Sequence, residues 1–234
     1  MVRGKIVVFE GTDSSGKATQ AGFLVDKLQR QGIAVELVSF PRYGSPFGEM
    51  VGRYLAGEFG SKEELVPEFV GLLYALDRYH AKRELNRKLD MGITLVLDRY
   101  KASNLAHQGA KFLKKGEQEK FINWLVAVES RLPREDAVVF LNMPEDAAQK
   151  LMQGPDRIKD YRKGEAKDLH ESDTEYLRRT REVYKRLAKK QKWVWVDVAF
   201  LEKREWIVRS KQEIAIEVWQ KLCKKIPGFK KKKF

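Results

Sequence analysis

Cysteine is almost absent from this 234-residue chain, which contains a single one, Cys223. One cysteine excludes an intramolecular disulfide and a cysteine-based metal cluster. Because Cys223 lies among Ile, Val and Leu residues at helical spacing, we interpret it as a packing residue without a chemical role.

Long apolar runs are also lacking, and no stretch approaches the roughly 18 residues that cross a bilayer. The first apolar segment, Lys5–Phe9, is predicted to be a core strand and has no small-residue cleavage site behind it, so we expect no signal peptide. Hydrophobic residues make up 43% of the chain and charged residues 34%, which is typical of a soluble folded protein. We therefore predict a cytoplasmic protein with no membrane partner.

Negative charge is in short supply, since 33 Asp and Glu residues face 46 Lys and Arg residues and leave a net charge of +13. This excess favours an anionic partner, either a nucleic acid or a phosphorylated small molecule. Six of the lysines lie in the basic tail 224–234, and removing those six from the thirteen leaves +7 for the rest. We interpret the tail as a solvated terminus and do not expect a nucleic-acid partner, although the tail is suited to bind one.

Five short β-rich runs are apolar enough to predict strands buried on both faces. They are Lys5–Phe9, Ala34–Ser39, Thr94–Asp98, Ala137–Asn142 and Trp193–Val198. Helical patterns separate them; the first follows Lys17 and stops at Gly32, and the last is predicted to carry Ile207, Ile214, Val218 and Leu222. Strands that alternate with helices predict right-handed crossovers and a five-stranded parallel sheet flanked by helices on both faces.

The length allows one substantial core, so we predict a single α/β domain over residues 1–234. One polar, glycine-containing stretch without periodicity, about residues 154–173, is predicted to be a mobile lid.

A glycine-rich segment, Gly11-Thr12-Asp13-Ser14-Ser15-Gly16-Lys17, directly follows the first predicted strand and opens the first predicted helix. This placement is typical of a phosphate-binding P-loop, although a plain glycine-rich turn is the alternative. The P-loop interpretation predicts a P-loop NTPase fold in which backbone N–H groups surround phosphate oxygens while Lys17 adds a mobile charge. The residues predicted to bind the phosphates of ATP are Gly11, Ser14, Ser15, Gly16, Lys17, Ala18 and Thr19.

The P-loop lacks one customary ligand, because Ala18 stands where a Ser or Thr hydroxyl ordinarily ligates Mg²⁺. Thr19 lies about 100° further round the helix and should not replace that hydroxyl directly. We therefore predict that phosphates, water and a carboxylate hold the magnesium, with Asp98 at the end of a core strand as the candidate ligand.

Five segments, taken in this order, resemble the thymidylate kinase family over nearly the whole chain. They are Phe9-Glu10-Gly11-Thr12-Asp13, Phe40-Pro41-Arg42-Tyr43-Gly44, Leu73-Tyr74-Ala75-Leu76-Asp77-Arg78, Asp98-Arg99-Tyr100 and Ser103-Asn104-Leu105-Ala106-His107-Gln108-Gly109. The resemblance implies transfer of the γ-phosphate of ATP to dTMP with Mg²⁺, in a homodimer built by helix packing.

The resemblance also implies a dTMP site. Its predicted members are Asp13, Phe40, Arg42, Tyr43, Tyr74, Arg78, Arg99, Asn104, His107 and Gln108. Asp13 would approach the 3′-hydroxyl, or else form an Asx turn. Arg42 and Arg99 would clamp the monophosphate, or else pair with surface acids.

The thymine base would stack on Tyr74, which is otherwise interpreted as a core aromatic, while Arg78 would contact the base carbonyl. The amides of Asn104 and Gln108 suit the polar edge of a pyrimidine.

Catalysis is predicted to use Lys17, Asp98 and Arg99 together with two lid arginines. Some relatives carry an arginine inside the P-loop, where this chain has Ser14 and Ser15, so the resemblance assigns the missing charge to Arg157 and Arg162. A solvated basic loop is the alternative for those two.

Two rival functions stay open. The chain is also consistent with a kinase of another pyrimidine monophosphate, such as dUMP or UMP/CMP, because the P-loop and the arginines would serve any of them. His107 replaces the Tyr or Phe that relatives place beside the sugar, a position that the resemblance ties to rejection of a 2′-hydroxyl. A P-loop protein that binds nucleotide or nucleic acid without turnover is the other, because Ala18 removes a metal ligand.

Overall fold

The structure, a computed structural model, describes residues 2–61, 64–152 and 174–229. Its elements in chain order are β1 (Ile6–Glu10), α1 (Lys17–Gln29), β2 (Val35–Ser39), α2 (Pro46–Leu55), α3 (Pro67–Asp90), β3 (Thr94–Asp98), α4 (Lys101–Gly109), α5 (Lys115–Val128), β4 (Ala137–Asn142), α6 (Glu145–Met152), α7 (Thr174–Lys190), β5 (Val194–Asp197), β6 (Ala199–Glu202), β7 (Glu205–Val208) and α8 (Lys211–Lys225). No helix within the described ranges is long and apolar enough to cross a membrane.

The five predicted strands form one parallel sheet in the order β2-β3-β1-β4-β5. Register places Phe9 of β1 beside Asp98 of β3, and Asp98 beside Ser39 of β2. The carboxyl ends of these three strands therefore meet at one edge, which is where open α/β sheets bind ligands. The predicted fold class is confirmed.

Alternation along β1 sends side chains to two separate cores. Val7 and Phe9 pack with α1 and α8 on one face of the sheet, whereas Ile6 and Val8 pack with α3 on the other. Helices α4, α5 and α7 form a third cluster around Phe140 of β4. Burial on both sides explains why these strands are runs of apolar residues without polar alternation.

The prediction that every strand is buried on both faces is wrong for the two edge strands. The residues of β2 are only half-buried or exposed, and in β5 Trp195 is half-buried and Asp197 exposed. Leu37 is 47% exposed. The reason is position, because β2 is an edge strand and pairs only with β3 within the sheet. Strand length and apolarity do not reveal which strand takes the edge.

An antiparallel hairpin of β6 and β7 follows the last parallel strand and was not predicted. Its turn residues Lys203 and Arg204 have positive φ, and Ile207 pairs with Phe200. The prediction that Ile207 belongs to the last helix is therefore wrong. Helix α8 begins only after Ser210, which caps it in a capping box with Glu213.

The predicted lid, residues 154–173, lies outside the described residues. The last five residues of the basic tail lie outside them as well. The residue before those five, Phe229, is buried and stacks on Trp219 with ring centroids 5.7 Å apart.

Candidate active site

The loop between β1 and α1 has the backbone shape of an anion cradle. Gly11, Ser14 and Gly16 have φ values of 150°, 64° and 85°. A Cβ at Gly11 would lie 2.6 Å from the carbonyl oxygen of Leu141, so only glycine fits there. Positive φ values at these three positions bend the backbone around the start of α1, where the N–H groups of a helix start can bind an anion.

Lys17 lies buried inside this loop, and its Nζ donates a 2.8 Å hydrogen bond to the carbonyl oxygen of Thr12. Burial lowers the pKa of Lys17 to about 8, and the neighbouring Arg99 adds to the effect, while Asp13, Asp98 and Glu10 oppose it. A bound phosphate would favour the charged amine and so reverse the effect of desolvation.

Two buried oxygens beside the loop have no hydrogen-bond partner within the described residues, Ser15 Oγ and Asp98 Oδ1. Such atoms are costly unless a ligand or ion completes them. The loop and Lys17 thus suit a nucleotide phosphate, and Asp98 offers one oxygen to Mg²⁺. No cluster of three or more His, Cys, Asp or Glu side chains that could hold a metal occurs among the residues the structure describes.

Arg99 follows β3 and turns back onto the loop. It has a φ of 66°, and its backbone N–H donates to the carbonyl oxygen of Phe9 at 3.0 Å. Its Nη2 donates to Asp13 Oδ1 at 2.5 Å, and its Nη1 to Ser103 Oγ at 3.2 Å. Although burial disfavours its charge, Asp13 and other nearby anionic groups raise its pKa above the usual arginine range. The structure therefore brings the predicted residues Asp13, Asp98 and Arg99 together with Lys17.

Arg42 is held by the acid Asp77 of α3. The backbone N–H of Arg42 donates to Asp77 Oδ2 at 2.8 Å and its Nε to Oδ1 at 3.1 Å. Its Nη2 lies 2.8 Å from Nδ1 of His80. Ser45 also donates to Asp77, at 2.9 Å. Asp77 therefore fixes the guanidinium of Arg42 on the α3 side of the sheet edge.

The flanking aromatics of Arg42 differ in exposure. Phe40 is buried and joined to Pro41 by a cis peptide bond, whereas Tyr43 is 47% exposed. A Cβ at Gly48 would lie only 1.9 Å from the carbonyl oxygen of Arg42, so α2 approaches the Arg42 backbone closely. Phe40 therefore belongs to the core, whereas the ring of Tyr43 is accessible from solvent.

Arg78, Asn104 and Gln108 are all buried where α3 packs on α4. Nε of Arg78 donates to Oε1 of Glu129 at 2.5 Å, and Nδ2 of Asn104 donates to the carbonyl oxygen of Gly71 at 2.9 Å. Each of the three predicted residues leaves one polar atom without a partner within the described residues. These atoms are Arg78 Nη2, Asn104 Oδ1 and Gln108 Oε1.

The two predicted rings beside these polar residues sit in aromatic surroundings. Tyr74 is partly buried and meets Tyr54 edge to face, with centroids 6.3 Å apart. His107 lies between Tyr176 and Tyr184 of α7, with centroids 6.2 and 6.1 Å away. The hydroxyl of Tyr176 also donates to the carbonyl oxygen of His107 at 2.9 Å.

Sequence reasoning gave no role to three acids that hold this site, namely Glu10, Asp77 and Glu129. All three are at most 2% exposed. Glu10 accepts hydrogen bonds from Tyr100, Ser103 and Tyr184. For Glu10 the available signal was an acid in an otherwise apolar strand, and for Asp77 an acid within a quoted motif, since buried acids ordinarily have cationic or N–H partners. Glu129, at the end of α5, carries no such signal.

The remaining two predicted catalytic residues, Arg157 and Arg162, lie outside the described residues. Two concave surfaces, of about 750 Å³ along the second half of α3 and about 380 Å³ between α1 and α8, contain none of the predicted site residues. The site is thus recognised by its chemistry and not by the size of a cavity.

Comparison with known proteins gives a consistent result. The family model described as thymidylate kinase matches residues 9–206. Thymidylate kinase of Homo sapiens is 34% identical over 157 residues, 66% of this chain and 69% of that protein. Thymidylate kinase of Plasmodium falciparum is 30% identical over 196 residues, 83% of this chain and 82% of that protein.

The fold is also similar to that of a solved structure. The structure of thymidylate kinase from Candida albicans aligns with a TM-score of 0.74 at 24% identity, covering 95% of this chain and 92% of that one. The Candida protein has a broad substrate specificity. At this identity the likeness bears on the fold.

Proposed function

This chain belongs to the thymidylate kinase family, and from that membership we infer that it transfers the γ-phosphate of ATP to dTMP, giving ADP and dTDP. The protein is thus an ATP-dependent dTMP kinase. The roles of individual residues, the metal, the oligomer and the domain limits are proposals that rest on the geometry described above.

The P-loop residues and Lys17 bind the ATP phosphates. Ser15 and the backbone of residues 11–19 surround phosphate oxygens, and Lys17 leaves Thr12 to neutralise charge on the β- and γ-phosphates. When bound, Mg²⁺ neutralises further phosphate charge, and Asp98 together with phosphate oxygens would hold it. Ala18 contributes its backbone alone.

Arg42, which follows β2, and Arg99, which follows β3, hold the dTMP phosphate at the edge where the carboxyl ends of these two strands meet. Each already has an acid that orients its guanidinium, Asp77 for Arg42 and Asp13 for Arg99. Because both guanidinium groups are already held in place, the two side chains lose little rotamer freedom when a phosphate binds. Asp13 contacts Arg99, so its carboxylate can accept a hydrogen bond from a sugar hydroxyl while Arg99 contacts the phosphate.

The observation that carries the base assignment is the set of unpaired atoms between α3 and α4. Thymine presents an acceptor at O4 and a donor at N3, which match the donor Nη2 of Arg78 and the acceptor Oδ1 of Asn104. Cytosine reverses both groups and would leave buried polar atoms unpaired. Gln108 offers a second acceptor, and Tyr74 offers the ring for stacking.

A substrate panel tests this proposal. With Mg-ATP, kcat/KM for dTMP should exceed that for CMP, AMP and GMP by at least about 100-fold, because these bases mismatch the buried polar set. The measurement is ADP release, run in parallel with dUMP and UMP. A small gap between dTMP and UMP would assign weak sugar discrimination to His107, and preference for CMP would contradict the base assignment. If no nucleotide of the panel stimulates ADP release, the result would favour a P-loop protein that binds nucleotide without turnover.

Helix α3 carries the face on which we propose that two copies pair. Phe69, Leu72 and Leu76 lie at helical spacing and are each 42–43% exposed, and Val66 just before the helix is 59% exposed. An apolar stripe of this kind on one helix suits a second copy of the same helix, because a two-fold interface is self-complementary.

Sedimentation equilibrium tests this pairing. The wild-type chain of 27.2 kDa should sediment with about twice its mass. Replacing Leu72 and Leu76 together with Glu should yield a monomer, because four carboxylates would meet at the interface. The matched control is Leu113→Glu, since Leu113 is 81% exposed and lies off α3. A wild-type monomer, or a dimer that persists in the double variant, would refute this face.

The remaining assignments stay predictions from the sequence. Arg157 and Arg162 would supply positive charge to the transferring phosphoryl group, and residues 154–173 would act as a lid over a single domain. The cytoplasmic location and the absence of a nucleic-acid partner rest on composition alone.

A further inference from the structure

Glu10, the last residue of β1, is the most enclosed charged side chain next to the site, with 0% exposure. Burial raises its pKa, while hydrogen bonds from Ser103, Tyr100 and Tyr184 and the charge of Arg99 oppose the rise. Its four hydrogen-bond donors divide into two pairs, one for each carboxylate oxygen. None of these four hydrogen bonds has a role in the phosphoryl transfer that we propose for this chain.

Oxygen Oε1 caps helix α4 from outside the helix. It accepts the backbone N–H of Tyr100 at 2.9 Å and that of Ser103 at 3.2 Å. Tyr100, the N-cap residue of α4, makes no side-chain capping bond of its own. A carboxylate at this position satisfies donors that a helix start leaves open and favours the positive end of the helix dipole.

Oxygen Oε2 faces hydroxyl groups only. It accepts from Ser103 Oγ at 2.6 Å and from the Tyr184 hydroxyl at 3.0 Å. Ser103 Oγ in turn accepts from Nη1 of Arg99 at 3.2 Å. A continuous chain of hydrogen bonds therefore runs from Glu10 through one hydroxyl to Arg99, whose Nη2 contacts Asp13 of the P-loop.

We propose that Glu10 is a positioning residue, which through Ser103 holds the Arg99 guanidinium in the orientation that binds the dTMP phosphate. This inference rests on the role proposed for Arg99. The carboxylate of Glu10 accepts the hydroxyl proton of Ser103 and so fixes the direction of that hydroxyl group. The lone pairs of Ser103 Oγ then point at Arg99. Charge-assisted hydrogen bonds of this type are stronger than neutral ones.

Glu10→Gln separates positioning from capping. The amide oxygen can take the place of Oε1 and keep both backbone bonds to α4, so the fold should persist. The amide nitrogen then takes the place of Oε2 and donates to Ser103 Oγ, which competes with Arg99 for the same lone pairs. The negative charge behind Arg99 is lost as well.

Steady-state kinetics with each substrate varied in turn tests the proposal. Glu10→Gln should raise KM for dTMP about 10-fold, as expected for one charge-assisted hydrogen bond, and change KM for ATP less than about 3-fold. Ser103→Ala should act in the same direction. The double variant should be little worse than either single one, because both break the same chain. Tyr184→Phe, which removes a bond to Glu10 but none to Arg99, should show the smaller effect.

Arg99→Ala distinguishes failure of this inference from failure of the site assignment. If Arg99→Ala raises KM for dTMP and Glu10→Gln does not, the positioning role is overturned while Arg99 keeps its own. If Arg99→Ala leaves KM for dTMP unchanged, both the phosphate-binding role of Arg99 and the positioning role of Glu10 are refuted. Equal losses for ATP and dTMP with a lower Tm would mark Glu10 as a general structural residue and overturn the proposal. If Glu10→Gln does not fold, an unchanged KM for dTMP in Ser103→Ala overturns it.

Discussion

Replacing Lys17 with Met is expected to lower kcat by about 1000-fold or more, the loss seen when one preorganised charge or donor is removed from a transition state. Met fills a similar volume, so the loop should keep its shape. Lys17 is buried within the loop, and its Nζ donates to the carbonyl oxygen of Thr12. Among the residues that the structure describes, no carboxylate accepts a hydrogen bond from it. Removing the amine therefore takes away the positive charge that faces the ATP phosphates, and within the described residues it leaves no carboxylate without a hydrogen-bond donor. Single-turnover assays of ADP formation with saturating dTMP give the measurement.

Lys27→Met is the matched control, since Lys27 lies on the same helix in its last turn. It should turn over at a near-wild-type rate. A second control uses pH, because burial lowers the pKa of Lys17 to about 8. Below that pH the amine is charged and binds phosphate; as pH rises through 8 the charge is lost from the free enzyme and KM for ATP should rise. The Met variant should lack this dependence. Near-normal turnover in Lys17→Met would remove Lys17 from the site.

The sequence was sufficient for the parallel sheet and for the phosphate loop because each depends on local pattern. A buried parallel strand is an uninterrupted apolar run, and the P-loop is a contiguous segment whose glycines are required by its backbone. Gly11 illustrates this, since its φ of 150° and the nearby carbonyl oxygen of Leu141 admit no side chain.

Edge position and the small hairpin could not be predicted in the same way. Which strand lies at the edge depends on strand order, and β2 and β5 are separated by three other strands. The hairpin of β6 and β7 is only four residues per strand. Its apolar residues, Ile207 among them, match a helical spacing equally well at that length.

The acids that orient the arginines could not be identified from single segments of sequence either. Arg42 and Asp77 are 35 positions apart, and Arg78 and Glu129 are 51 apart. A buried acid signals that a partner exists but does not name it, because pairing is set by how α3 packs on the sheet edge and on α5. The family resemblance supplied the arginines, and only the structure supplied their partners.

Replacing Arg99 with Ala is expected to lower kcat/KM for dTMP by at least about 100-fold. Arg99 joins two parts of the site, because it contacts Asp13 and Gly11 of the P-loop and Ser103 of α4. Its loss removes a phosphate ligand and also the cation that orients Asp13. The measurement is initial rate against dTMP concentration at saturating ATP.

The fold should survive this change. Asp13 is 40% exposed in the side chain and can be solvated once its partner is gone. The φ of 66° at position 99 is equally unfavourable for Arg and Ala, so no new backbone strain arises.

Arg99→Lys keeps a positive charge but loses the planar guanidinium that can bind two phosphate oxygens at once. This variant should therefore recover only part of the activity. The matched control Arg134→Ala removes an exposed arginine that precedes β4 and is not a proposed site residue, and it should leave kcat/KM unchanged. If Arg99→Ala and Arg134→Ala behave alike, the monophosphate must be held by Arg42 without Arg99, and the site would lie nearer α3 than we propose.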